Sequence, residues 1–171
     1  MSAVEFKRQI YDSLMEFLDE SESAFFAVAY ITTSGVNLIK DHIPEDTRIV
    51  TCIDFFLTEP EALEALIDLG VKVRILNARP AFHPKVSYFM KNAVEAYAII
   101  GSSNLTEAGL RDNIEANIIL RGAPSEKVFR DIQEYLEELW NHRLAREVTP
   151  KFLEWYSARW ERARPRVQRM I

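Results

Sequence analysis

Cysteine is almost missing from this sequence: Cys52, inside the apolar run RIVTCIDFFL, is the only one in 171 residues. A disulfide framework is excluded, and a buried reduced thiol is the expected state of Cys52. There is no cysteine cluster and no HExxH spacing, so neither a metal site nor any other cofactor is expected. No apolar run approaches the roughly 20 residues that cross a bilayer. The stretch MSAVEFKRQIYDSLMEFL is charged and periodic, unlike a signal peptide. A Lys-rich amphipathic membrane-binding stretch is also lacking. The expectation is a cytoplasmic chain without membrane contact. Linkers, low-complexity segments and internal repeats are missing too. Residues 1–171 therefore read as a single domain, long enough to bury a core.

Uniform positive charge is likewise lacking, since the net charge is −5. A basic coat for nucleic acid is not what the whole chain presents. The distribution is uneven, however. From residue 141 onward Arg143, Arg146, Lys151, Arg159, Arg162, Arg164, Arg166 and Arg169 oppose only Glu147, Glu154 and Glu161. Eight positives against three negatives give +5, which leaves −10 on the first 140 residues. Such a tail is either the solvated face of a terminal helix or a surface that approaches phosphates.

What is present alternates between strands and helices. Residues 4 to about 20 carry Val4, Ile10, Leu14, Phe17 and Leu18 on one stripe, and a helix is expected there. SAFFAVAYI, TRIVTCIDFF and VKVRILN read as buried strands. TEPEALEALIDLG reads as a helix capped by Thr58, with Pro60 in its first turn, Glu61 closing a capping box and Gly70 ending it. KVSYFM and AYAIIG read as a hairpin, NLTEAGL as a helical turn, NIEANIILRG as another strand, and everything from Pro124 on as helix. This rhythm predicts an α/β fold: a mixed, largely parallel β-sheet flanked by helices, with further helices at the C-terminal end.

Three consecutive strands carry an unusual set of side chains. His83 and Lys85 are two residues apart and share a face if the chain is extended. Gly101 ends the next strand, and Ser102, Ser103 and Asn104 follow at a strand-to-helix junction, where polar groups commonly meet anions. Glu115 is expected in the strand after that. Taken singly, such a histidine is usually a surface or core residue, the asparagine a cap and the glutamate a solvated side chain. Together and in this order they point to one site.

HPK followed by GSSN resembles the phospholipase D superfamily, whose signature is HxKxxxxD and then GSxN, often with a downstream Glu. The wording FFAVAYITTSG, HPKVSYF, IIGSSNLTEAGL and NIEAN most resembles the nuclease branch found in metal-independent restriction endonucleases and some helicase-associated modules. Two departures stand out. The Asp of the signature would fall at Met90, and the His-to-Gly spacing is four residues longer than common; the nuclease branch is similar in both respects.

The resemblance implies a phospholipase D-like fold and a two-step phosphodiester transfer. One His attacks phosphorus, and a second His protonates the leaving oxygen and then activates water. His83, Lys85, Asn104 and Glu115 are the catalytic candidates, with Ser102, Ser103, Thr33 and Arg111 as substrate contacts. His42 and His142 are not followed by a lysine two residues on. A homodimer sharing one site would supply the second histidine by symmetry. Phe82 and the ITTSG turn are candidates for its interface. The first reading is a dimeric, metal-independent DNA endonuclease of a restriction or defence system, with a helicase or specificity subunit as a possible partner. The alternatives are a phosphodiesterase for lipid or another substrate, or a non-catalytic dimerisation or DNA-tethering module.

Overall fold

The structure is a computed structural model that describes residues 2–167. It opens on a strand, β1 (Ala3–Lys7), where a helix was expected, and the helix α1 begins only at Tyr11 and ends at Glu20. The reason is tertiary. β1 pairs antiparallel with β7 (Asn117–Gly122), Phe6 opposite Ile118 and Val4 opposite Leu120, and this ladder overrides the local periodicity. The remaining elements are β2 (Ser23–Val28), α2 (Thr33–Ile39), β3 (Asp46–Thr51), α3 (Pro60–Asp68), β4 (Lys72–Ile75), β5 (Lys85–Met90), β6 (Ala96–Gly101), α4 (Lys127–Trp140), β8 (Arg146–Glu147) and α5 (Pro150–Val167). One short helical turn, Asp54–Phe56, follows β3, and another, Ala108–Asp112, precedes β7.

The eight strands form one sheet in the order β1-β7-β6-β5-β2-β3-β4-β8. Only β2–β3 and β3–β4 pair in parallel; the other neighbours are antiparallel. The sheet is thus mixed but mostly antiparallel, which corrects the expected parallel majority. Parallel pairing needs a crossover helix, and only α2 and α3 provide one within the sheet. After β4, residues 76–84 return the chain to the far side of β2, where the β5–β6 hairpin and β7 follow by reversals.

Alternation along the strands gives the sheet two apolar faces. Phe26, Val28, Ile49, Val73, Phe89, Tyr97, Ile99 and Ile119 pack against Leu14, Phe17, Val36, Leu63 and Tyr156 of the helices on one side. Phe25, Ala27, Val50, Tyr88, Ala98 and Leu120 pack against Phe129, Ile132 and Leu136 of α4 on the other. The α3 start differs from expectation. Glu59 is its capping residue, and the Thr58 hydroxyl instead donates to the Cys52 carbonyl at 2.7 Å. Gly70 ends α3 with φ +83°, a conformation that only glycine adopts without strain. Cys52 is free and buried. No helix among the described residues is long and apolar enough to cross a membrane.

Candidate active site

Reversal of strand direction gathers the motif. Lys85 opens β5 opposite Val28, the last residue of β2. Gly101 closes β6, and Asn117 opens β7 directly opposite it. Four strand ends therefore meet at one edge of the sheet. Backbone bonds lace them together: Ala29 N–H to the Pro84 carbonyl (3.1 Å), Leu105 N–H to the Tyr30 carbonyl (3.2 Å), Thr32 N–H to the Leu105 carbonyl (3.1 Å) and Ser102 N–H to the Ala116 carbonyl (3.1 Å).

At this edge His83 and Lys85 touch. The lysine Nζ lies 2.8 Å from Nδ1 and 3.2 Å from Nε2 of the imidazole, and donates to the His83 carbonyl at 3.0 Å. Tyr30 closes the other side, its ring edge-on to the imidazole at 5.7 Å. His83 is exposed, yet it loses part of its hydration to these neighbours. That loss first, and the Lys85 charge second, push its pKa below the usual histidine value. That direction favours the neutral imidazole, whose unprotonated nitrogen carries a lone pair. Burial also pushes Lys85 down, opposed by Cys52 and by the Glu115 carboxylate.

Asn104 is held from behind. Its Oδ1 accepts from the Tyr30 N–H at 3.1 Å, which fixes the amide and leaves Nδ2 to donate elsewhere. Asn117, which the sequence did not single out, supports the GSSN loop from within. It is buried, its Oδ1 accepts from the Ser103 N–H at 3.3 Å, and its Nδ2 donates to the Ser103 Oγ at 3.0 Å. Ser103 is buried, 5% exposed, and both its N–H and its Oγ are engaged by Asn117. Gly101 makes this packing possible. A Cβ there would sit 2.3 Å from the Asn117 Oδ1 and 2.4 Å from the Ala116 carbonyl oxygen. Gly101→Ala is expected to destabilise the fold by about 1–3 kcal/mol, at roughly 2–4 °C of melting temperature per kcal/mol for a chain of this size. A thermal melt matching wild type would contradict that account.

Glu115 lies just before β7 rather than inside it. Its carboxylate accepts from the Ser102 hydroxyl and, at 3.1 Å, from Asn113 Nδ2, while the Ser102 Oγ accepts from the Ala116 N–H at 2.9 Å. Among the described residues no hydrogen bond joins Glu115 to His83. Thr33 and Arg111 are likewise not brought into bonding distance of His83. The Thr33 N–H donates to Glu59 at 2.6 Å, and the Arg111 guanidinium stacks on Tyr11 at 3.8 Å. Met90 sits at the opposite end of β5, paired with Ser23 and Ala96. With about 3.4 Å of rise per residue, it is far from His83, so the site lacks no carboxylate on its account. Of the basic tail, Arg143, Arg146, Lys151, Arg159, Arg162 and Arg164 are exposed; Arg169 lies outside the described residues. Among the described residues no group of three or more His, Cys, Asp or Glu is placed to hold a metal ion.

Residues 27–140 match the family described as cardiolipin synthase, PLD-like domain. In fold the chain is similar to a phospholipase D family member, Nuc, from Salmonella typhimurium, with a TM-score of 0.68 and 17% identity over 86% of this chain and 99% of that one. NucT from Helicobacter pylori gives 0.61 and 14% over the same shares, 86% and 99%. A variant of yeast tyrosyl-DNA phosphodiesterase gives 0.55 and 12%, covering 84% of this chain and 38% of that one. No curated protein matches the sequence.

Proposed function

The chain belongs to the phospholipase D-like family, and from that premise we propose that it is a phosphodiesterase that cleaves DNA as a homodimer, without a metal ion, through a phosphohistidine on His83. The observation that carries this reading is the His83–Lys85 contact of 2.8 Å at the sheet edge, where Asn104 is fixed by Tyr30. A neutral imidazole nitrogen attacks phosphorus, and the bond from phosphorus to the leaving oxygen breaks. The His83 imidazole of the second copy, protonated once the phosphate anion lies beside it, gives its proton to that oxygen. Water then loses a proton to the same imidazole and attacks the phosphohistidine, which frees His83.

Lys85 and the Asn104 amide would share the negative charge that builds on the phosphoryl oxygens, the work a metal ion does elsewhere. When phosphate enters, the Lys85 ammonium can exchange its imidazole contact for an anionic oxygen, a stronger charge-assisted bond. Glu115 would hold the partner imidazole by its other nitrogen and set its tautomer. The likeness to a tyrosyl-DNA phosphodiesterase supports DNA as the substrate class, and so do the exposed arginines of the last 30 residues.

Labelled single- and double-stranded DNA and RNA, incubated with and without excess EDTA, test the reading directly. Cleavage of DNA is expected at an unchanged rate in EDTA. Strict dependence on added magnesium would remove the proposed mechanism.

A further inference from the structure

The turn after β3 lies on the same edge of the sheet as His83. β3 runs parallel to β2, and β5 starts where β2 ends, so the chain leaving β3 emerges beside the start of β5. The root of the turn is fastened there. The Cys52 Sγ donates to the Ala29 carbonyl at 3.3 Å and lies 3.6 Å from the carbonyl of Phe82, the residue before His83. No more than about 10 Å of backbone separates Cys52 from Phe55. Burial first, with the Asp54 carboxylate a lesser cause, raises the pKa of Tyr30, whose ring packs on His83.

Within this turn Phe55 and Phe56 both adopt left-handed backbone angles, φ 58° and 56°. For bulky side chains that conformation is strained. Phe56 is anchored: its ring stacks on Tyr156 at 6.2 Å, and its carbonyl accepts from Trp160 Nε1 at 2.9 Å. Asp54 is held by Arg79 at 3.5 Å. Pinned on both sides, the turn throws the Phe55 ring outward, 69% exposed. Guanidiniums flank its two chain neighbours, Asp54 and Phe56. The Arg79 side chain is 79% exposed, and Arg159 and Arg162 line, with Phe56, an open cavity of about 260 Å³.

An exposed, backbone-strained aromatic among arginines beside a phosphodiester site is chemically matched to a polynucleotide strand, whose bases stack and whose phosphates pair with guanidinium. Resting on the nucleic-acid reading above, we propose that Phe55 is a stacking platform for an unpaired nucleobase near the phosphate at His83, with Arg79, Arg159 and Arg162 taking neighbouring phosphates. A base inside a duplex is already stacked on both faces and gains nothing from Phe55. The site therefore prefers single-stranded or locally opened substrate.

Binding separates this from catalysis. Fluorescence anisotropy with short labelled single-stranded DNA and RNA, and with the duplex of the same sequence, is measured on His83→Ala protein with and without Phe55→Ala. Loss of Phe55 is expected to weaken single-strand binding about tenfold, to leave duplex binding unchanged, and to be rescued by Phe55→Trp. Equal single-strand affinity with and without Phe55 overturns the proposal, as does an equal loss on duplex. A fall in dimer content on sizing, in place of the affinity loss, assigns Phe55 to a protein contact and also overturns it. If wild type fails to cleave while single-strand binding still depends on Phe55, the cleavage reading falls and the stacking subsite stands. If cleavage holds and Phe55→Ala binds normally, only the subsite falls.

Discussion

His83→Ala is expected to reduce phosphodiester cleavage by on the order of 10⁴-fold or more while leaving the fold intact. In a symmetric dimer the substitution removes the nucleophile and the leaving-group acid at once. Such roles act as a unit, so no residual half-activity survives. The fold is spared because His83 is exposed and, among the described residues, its ring makes only the Lys85 bonds and the edge contact with Tyr30. Exposed positions of this kind shift stability by about 0.5 kcal/mol or less. Removing the ring also frees Lys85, whose ammonium no longer bonds imidazole and remains available to an anion. The measurement is a cleavage time course on labelled DNA alongside thermal melts and sizing. Cleavage within a few-fold of wild type, by protein with an unchanged melt, would place the chemistry elsewhere.

Much of this edge was legible in the sequence because its parts are local. HPK and GSSN each span a few residues, and the hairpin that joins them is announced by two apolar runs around KNAVE. The observed β5–β6 pairing, Val86 opposite Ile100, follows that pattern. What could not be read is set by distant partners. β1 looked helical because its partner, β7, lies over a hundred residues away. The antiparallel majority depends on where residues 76–84 carry the chain, which no periodicity encodes. Asn117 was missed for a similar reason. It reads as an ordinary strand residue until Gly101 is placed opposite it, and only then does its amide meet Ser103. The surroundings of Thr33 and Arg111 are also set by distant partners: the Thr33 N–H meets Glu59, and the Arg111 guanidinium lies on Tyr11. Phe55 carried a faint signal, two aromatics beside TEP, which gains meaning only from the left-handed turn.

Mixing wild-type chains with His83→Ala chains is expected to lower activity as the square of the wild-type fraction. At one wild-type chain in four, activity would be about one sixteenth, whereas independent sites would retain about a quarter. The expectation follows from a count: the described edge holds one His83, and the proposed reaction needs two such imidazoles. Exposed apolar side chains lie beside that edge, where the proposed second copy would meet them. Registered across β1, β7, β6 and β5, one step in from Lys7, Asn117, Gly101 and Lys85, runs the row Phe6, Ile118, Ile100 and Val86. Phe6 is 64% exposed, Ile118 is 37% exposed, and Ile114, next to Glu115, is fully exposed. Of the interface candidates read from sequence, Phe82 and Ile31 of the ITTSG turn are buried, while Thr32 and Thr33 are half-buried and Ser34 is exposed. A two-fold axis at this strip would also bring two Lys85 ammoniums together. Their repulsion is offset when a phosphate anion lies between them, so substrate itself would favour the assembled site. Chains carrying different tags, refolded together or co-expressed, allow the mixed dimer to be purified and assayed alone. An inactive mixed dimer fits a shared centre, and a mixed dimer with half the wild-type rate would show that each chain carries its own.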